Sequence, residues 1–284
     1  MIHMVVHGGA WHIPDDEWAA HQAGCQRAQA AGLAVLEKGG SALSAVAAAI
    51  RVLEDDPTFD AATGSFLNQA SEVECSAGLM SGQDLQTGAV IGVSHIHNPI
   101  DAAMVVLEKS EHCIFTAKGA EALAQQHGIP MIDSKALITE AQQRFFESLR
   151  DNPKQTLWLE GHDTVGAIAL DQQGHLAAGN STGGIPYKAV GRVGDAALPG
   201  LGYYADDKLG AFICTGQGEA IMRSTMGMRA LHRLAELGPQ LAAEFAIKQL
   251  GDAVSGYGGI IVMSPNGEVG MAYNTTRMAH CLGN

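Results

Sequence analysis

The sequence predicts an α+β fold built in four layers, α/β/β/α, around antiparallel sheets. Three observations predict it. Strand-like segments fall in hairpins, helical segments fall in groups between those hairpins, and no regular strand and helix alternation of the kind that builds parallel sheets runs through the 284 residues. In chain order, "IHMVVH" at 2–7 reads as a first strand, and the segment from Asp15 to about Lys38 has helix-forming composition before the stop at Gly39 and Gly40. Ser41 caps a second helix, "ALSAVAAAIRVLEDD", which Pro57 follows. From 64 to 94 the pattern changes to a meander of short strands with turns at "SGQD" and "QTG". Helices are expected at about 99–108, 117–127 and 133–150, and the polar stretch "RDNPKQTLWLEGHD" reads as a linker. After it come a hairpin, "TVGAIALDQQGHLAAG", a glycine-rich loop from 179 to 202, a strand "GAFICTG", and helices at about 219–236 and 239–254. A last hairpin turns on the Asn-Gly of "SPNGEV".

A formal net charge of −13 argues against a nucleic-acid groove or an anionic membrane surface, since both select for clustered Lys and Arg. A small molecule or a peptide is the expected partner. "MIHMVVHGGAW" carries no basic leader, and no run of about 18 apolar residues occurs, so a cytoplasmic location is expected. The cysteines Cys25, Cys75, Cys113, Cys214 and Cys281 are odd in number and form no C-x-x-C pair, which supports neither a disulfide framework nor a zinc site.

Several local patterns compete for the chemistry. "GNSTG" at 179–183 satisfies G-x-S-x-G with Ser181 as nucleophile, and "HGGAW" at 7–11 resembles an oxyanion loop. That elbow needs a helix immediately after its turn, whereas "GIPYKAVGRVGDAALPGLG" follows, too rich in Gly and Pro to be one. "HIH" at 95–97 lacks the further ligands of a metal cluster, and "GQGEAIM" lacks the lysine of a phosphate-binding loop. What remains is Thr164, with Thr182, Arg192, Asp195, Thr215 and Gly216. A threonine hydroxyl is a weak nucleophile that needs a base. Its own α-amine serves once the preceding peptide bond is cut, and an α-amine titrates at about 7.7–8.0. The seam between Asp163 and Thr164, where a polar knot meets an apolar strand, is therefore a candidate cleavage site.

"HDTVGAIALDQQGHLAAGNSTGG", "GRVGDAALPGLGYYAD" and "CTGQGE" resemble the active half of the plant-type asparaginase and isoaspartyl peptidase family of amino-terminal-nucleophile (Ntn) hydrolases, relatives of the glycosylasparaginases. "VVHGGAW", "GGSALSAVAAAIRVLEDDPTFDAATG" and "GYGGIIVMSPNGEVGMAYNTTRM" match further landmarks in order, so the resemblance covers most of the chain. It implies the four-layer Ntn sandwich over 1–284 as a single domain, cut into 1–163 and 164–284. Thr164 would be nucleophile and base, Thr182 its orienting partner, and Thr215 with the Gly216 N–H the oxyanion hole. Arg192 would grip the substrate α-carboxylate, with Asp195 and the Gly218 carbonyl on its α-ammonium. The implied activity is hydrolysis of isoaspartyl dipeptides and L-asparagine, with no organic cofactor, by a homodimer of cleaved heterodimers.

Departures from the family pattern are local. Asp163 after His162 stands where plant-type members place Gly, as in the glycosylasparaginase branch, and an acidic residue there is suited to assist the acyl shift of self-cleavage. "HGGA" and "STGG" side with the asparaginases. "FDAA" at 59–62, "CSA" at 75–77, "MSG" at 80–82 and Asn180 also differ, which bears on substrate preference more than on reaction class. In relatives the first of these loops holds a sodium ion by backbone carbonyls, here those of Leu53, Glu54, Asp56, Phe59, Ala61 and Thr63. Ala62 in place of Gly is expected to strain it. Glycosylasparaginase activity and an unprocessed, non-catalytic relative are the alternatives.

Overall fold

The computed structural model describes residues 1–151 and 164–283. β1 (His3–Trp11) is buried along its length, as a strand covered on both faces must be. α1 (Asp15–Glu37) opens on Asp15, Asp16 and Glu17, whose charges suit the positive end of the helix dipole. α2 (Ala42–Glu54) starts at Ser41, whose hydroxyl accepts from the Ser44 N–H at 3.2 Å. β2 (Cys75–Ser81) and β3 (Thr87–Val93) form a hairpin, and α3 (Pro99–Lys109) begins with proline in its first turn. β4 (Ile114–Thr116), α4 (Ala117–Gln126) and α5 (Glu140–Asp151) complete the first half. The second half runs β5 (Val165–Leu170), β6 (Leu176–Thr182), β7 (Tyr203–Asp206), β8 (Gly210–Gly216), α6 (Gly218–Ser224), α7 (Met226–Leu237), α8 (Pro239–Val254), β9 (Gly258–Met263), β10 (Val269–Tyr273) and β11 (Arg277–Cys281).

Two sheets result, a seven-stranded one in the order β11-β1-β5-β6-β2-β3-β4 and a four-stranded one in the order β10-β9-β8-β7. Three apolar layers bind them into the four-layer sandwich that the sequence predicts. Val6, Ala167, Ala177 and Leu79 pack one face of the large sheet on residues of α1 to α3. Val5, Ile168, Ala178, Ile213 and Ile261 fill the space between the sheets. Phe212, Ile260 and Val262 pack the small sheet on α6 to α8. Among the described residues no helix is long and apolar enough to cross a membrane.

Several expectations are corrected. The segment 64–74 is not strand: the Asn68 carboxamide oxygen accepts from the Ala70 and Glu72 N–H groups, and Ser71 takes φ 62°, so side-chain bonds shape an irregular loop. The helix expected over 133–150 is a 3-10 turn at Ser134–Leu137 followed by α5, whose first turn receives the Thr139 hydroxyl as acceptor for the Gln142 N–H. The helix expected at 219–236 is broken at Thr225, in the left-handed region at φ 50°, into α6 and α7. Residues 179–182 belong to β6 rather than to the glycine-rich loop. The reading offers no β4, β7 or β11, and β4 pairs with β3 in parallel, unlike the other strand pairs among the described residues. The first two residues of the expected linker, at 150 and 151, end α5 instead, and the rest of it with the Asp163 side of the seam lies outside the described residues.

Candidate active site

Thr164 stands at the head of β5, in register just before the Val165 to Gly8 pair with β1. Alternation along a strand decides which neighbours face it. On β6, Ser181 points to the helices, where its hydroxyl donates to Glu54 Oε1 at 2.6 Å, while Asn180 and Thr182 face the other sheet. This period of two turns the hydroxyl of Ser181 away and presents Thr182. Thr164 Oγ1 donates to Thr182 Oγ1 at 3.3 Å, and both threonines are buried. Thr182 Oγ1 also accepts from the Gly184 N–H at 2.9 Å.

The second sheet approaches this pair through Asn180, whose amide donates to the carbonyls of Gly202 (2.8 Å) and Cys214 (3.1 Å). That bridge ties β6 to β8 one residue before the buried Thr215. Gly216 takes φ 128°, and a Cβ there would stand 2.4 Å from the Gly258 Cα, so the backbone of this corner admits no side chain. Past the corner, a Cβ on Gly218 would lie 3.0 Å from Arg192 Nη2 and 3.1 Å from Asp195 Oδ1. The structure therefore brings Arg192, Asp195 and Gly218 together. Arg192 is engaged in a two-pronged pair with Glu219, Nε to Oε1 and Nη2 to Oε2, each 2.8 Å. Asp195 is 3% exposed, and its Oδ2 has no hydrogen-bond partner among the described residues. Burial raises its pKa to about 7, with Arg192 opposing.

Further buried side chains crowd the same place. His7 faces Gly166 across β1 and β5, and burial lowers its pKa to about 3, so it is a neutral imidazole. A Cβ on Gly166 would collide with Asn180 Oδ1 at 2.1 Å and His7 Nε2 at 2.5 Å, so this glycine is required for both side chains to reach beneath Thr164. Glu54, behind Ser181, also accepts from the Ile100 N–H at 3.0 Å, and burial raises its pKa to about 8. Lys188 is buried too, with Nζ donating to the carbonyls of Glu74 and Gly183. For Glu219 and Lys188 adjacency is the signal in the sequence: Glu219 follows Gly218 in "CTGQGE", and Lys188 sits between "STGG" and "GRVGD".

The loop after α2 closes on itself, the Glu54 carbonyl accepting from the Thr63 N–H and the Asp56 carbonyl from the Phe59 N–H, each at 3.1 Å. The carbonyls of Pro57 and Phe59 come within 2.8 and 2.9 Å of where a Gly64 Cβ would stand. Ala62 adopts φ 54°, the strained conformation its sequence position predicts. Elsewhere His95 pairs with Glu121 (3.1 Å) and His97 with Asp55 (3.0 Å). No group of three or more His, Cys, Asp or Glu is placed to hold a metal ion among the described residues.

The family profile described as asparaginase matches residues 1–284. The chain is 40% identical over 278 residues to the isoaspartyl peptidase/L-asparaginase of Xenopus laevis, covering 97% of this chain and 90% of that one. It is 42% identical over 280 residues to that of Bos taurus, with 97% and 91% covered. A plant-type L-asparaginase of Pyrobaculum calidifontis is 35% identical over 295 residues, 100% of this chain and 97% of its own. With its whole length matched by that profile and about 97% of it aligned to relatives at about 40% identity, the chain belongs to the asparaginase family.

Proposed function

We propose that the protein is a hydrolase of β-aspartyl amide bonds, in isoaspartyl dipeptides and L-asparagine, that acts through Thr164 after cutting itself between Asp163 and Thr164. The observation that carries this reading is the Thr164 to Thr182 hydroxyl pair at the head of a buried strand; the cluster of Arg192, Asp195 and Gly218 supplies the groups to hold the substrate. The relatives named isoaspartyl peptidase/L-asparaginase support the substrate class. In this mechanism the guanidinium of Arg192 keeps its Nη1 edge for the substrate α-carboxylate while Glu219 holds its other side. Ionised Asp195 and the Gly218 carbonyl take the α-ammonium, which aims the side-chain carbonyl at Thr164.

The freed α-amine of Thr164 accepts the hydroxyl proton as Oγ1 attacks that carbonyl carbon. The resulting oxyanion receives hydrogen bonds from the Thr215 hydroxyl and the Gly216 N–H, worth about 2.7–4 kcal/mol per donor in comparable sites. The amine then passes the proton to the leaving nitrogen, a β-aspartyl ester on Thr164 remains, and water activated by the same amine releases aspartate. No organic cofactor enters. A sodium ion held by the carbonyls of Leu53, Glu54, Asp56, Phe59, Ala61 and Thr63 would brace the loop behind the site without joining the reaction. The assembly inferred for the working enzyme is a cytoplasmic homodimer of cleaved heterodimers.

Intact-mass measurement and a substrate panel test the reading. The parent should split into fragments 1–163 and 164–284 and release leucine from β-Asp-Leu and ammonia from asparagine, whereas Thr164→Ala stays whole and inactive. A parent chain that remains uncut after prolonged incubation, or a Thr164→Ala chain that is cut and active, would overturn it. Faster turnover of GlcNAc-asparagine than of β-Asp-Leu would move the assignment to glycosylasparaginase.

A further inference from the structure

Lys188 is a buried ammonium that the mechanism above does not use. Its Nζ donates to the Gly183 carbonyl at 2.8 Å and to the Glu74 carbonyl at 2.6 Å. The Gly183 carbonyl and the Gly184 N–H are two ends of one peptide group, and that N–H donates to Thr182 Oγ1 at 2.9 Å. Thr182 Oγ1 in turn receives the Thr164 hydroxyl at 3.3 Å. One unbroken chain of hydrogen bonds thus runs from an ammonium through a peptide and a hydroxyl to the nucleophile. The backbone is shaped for it: Gly184 has φ 104°, and a Cβ there would stand 2.7 Å from Lys188 Nζ. The other end of this segment is clamped as well, since the Gly183 N–H donates to the Asp60 carbonyl at 2.8 Å.

We propose that Lys188 is a positioning residue for the nucleophile, its ammonium polarising the Gly183–Gly184 peptide so that the Gly184 N–H fixes and acidifies the Thr182 hydroxyl. This rests on the reading of Thr164 as nucleophile. A cation on a carbonyl strengthens the donor at the far end of the same peptide, and hydrogen bonds in series reinforce one another in a low-dielectric interior. With Thr182 Oγ1 filled by the Gly184 N–H, the Thr182 hydroxyl is the better donor to Thr164 Oγ1 once the proton of that group has moved to the α-amine. Lysine suits the place because a compact ammonium with three rotatable donors can serve two carbonyls at once. The charge of Asp60 opposes the desolvation that pushes the Lys188 pKa down.

A double-mutant cycle tests the link, with kcat normalised to the fraction of chain cut and folding followed by thermal melting. Lys188→Met should lower kcat on β-Asp-Leu about 10- to 100-fold, the factor of one charge-assisted hydrogen bond, with KM changed less than about threefold. In a Thr182→Ala background the same substitution should change kcat less than about threefold, because the group it acts through is gone. Equal factors in both backgrounds would overturn the proposal and leave Lys188 a loop cross-link. Lys188→Gln, which keeps a donor without the charge, runs the same cycle if the Met variant does not fold. Thr164→Ala alongside separates the two claims: if that variant is active, the nucleophile assignment has failed rather than the relay.

Discussion

Asp195 is buried, and burial pushes its carboxyl up to about 7 against the opposing pull of its own backbone N–H and of Arg192. Because the ionised form is the one that pairs with a substrate ammonium, binding should strengthen as pH rises through that value. KM is therefore expected to climb as pH falls below about 7, approaching about tenfold per unit at the limit. Asp195→Asn should raise KM about 10- to 100-fold, by loss of one charge-assisted bond, and remove that slope. A KM that stays flat from pH 5.5 to 8 in the parent would sink the assignment. The legible and the hidden are neighbours here. Thr164 and Asp195 lie in motifs with a chemical signature, whereas Lys188 reads as an ordinary loop lysine, because nothing local says that Glu74, more than a hundred residues earlier, will close over it.

At the scale of elements, periodicity located the long segments and missed whatever depended on neighbours. The Ser41 cap and the Asn-Gly turn were legible because they are local chemistry. β11 and β4 were not, since a short half-polar strand is stabilised by the edge it joins. Glycines show the same division. A Cβ on Gly88 in β3 would lie 2.2 Å from the Ala103 carbonyl of α3, a backbone contact that side-chain motion cannot relieve. Gly119, exposed in α4, has its nearest such neighbour at 4.0 Å. Gly88→Ala is expected to destabilise by about 1–3 kcal/mol, and Gly119→Ala to stabilise by about 0.5–1 kcal/mol through helix propensity. Urea unfolding of the two variants decides, and midpoints that move in the same direction would contradict the packing described.

Across the whole molecule, the sheet order sets what the proposed cut between Asp163 and Thr164 would leave joined. β1 and β2 belong to 1–163, while β5, β6 and β11 belong to 164–284, and the order β11-β1-β5-β6-β2 interleaves them. Three strand interfaces, β11 with β1, β1 with β5 and β6 with β2, therefore join the fragments. The matured fragments should co-elute as one particle on a sizing column and part only in denaturant. Fragments that separate under native conditions would show that the interleaved sheet does not survive the cut.

The four-layer class, most helices, the hairpins and the motifs that hold Thr164, Thr182, Arg192, Asp195 and Thr215 are legible in the chain before it folds, because helix periodicity, turn chemistry and motif spacing are properties of adjacent residues. It takes the packed chain to turn Ser181 to Glu54 and Thr182 to Thr164, to pair Arg192 with Glu219, and to set a buried lysine at the end of the hydrogen-bond chain that leads to Thr164. Those facts depend on which face of a strand is covered and on what distant segment covers it, and burial, not residue type, gives each of these groups its direction and its charge.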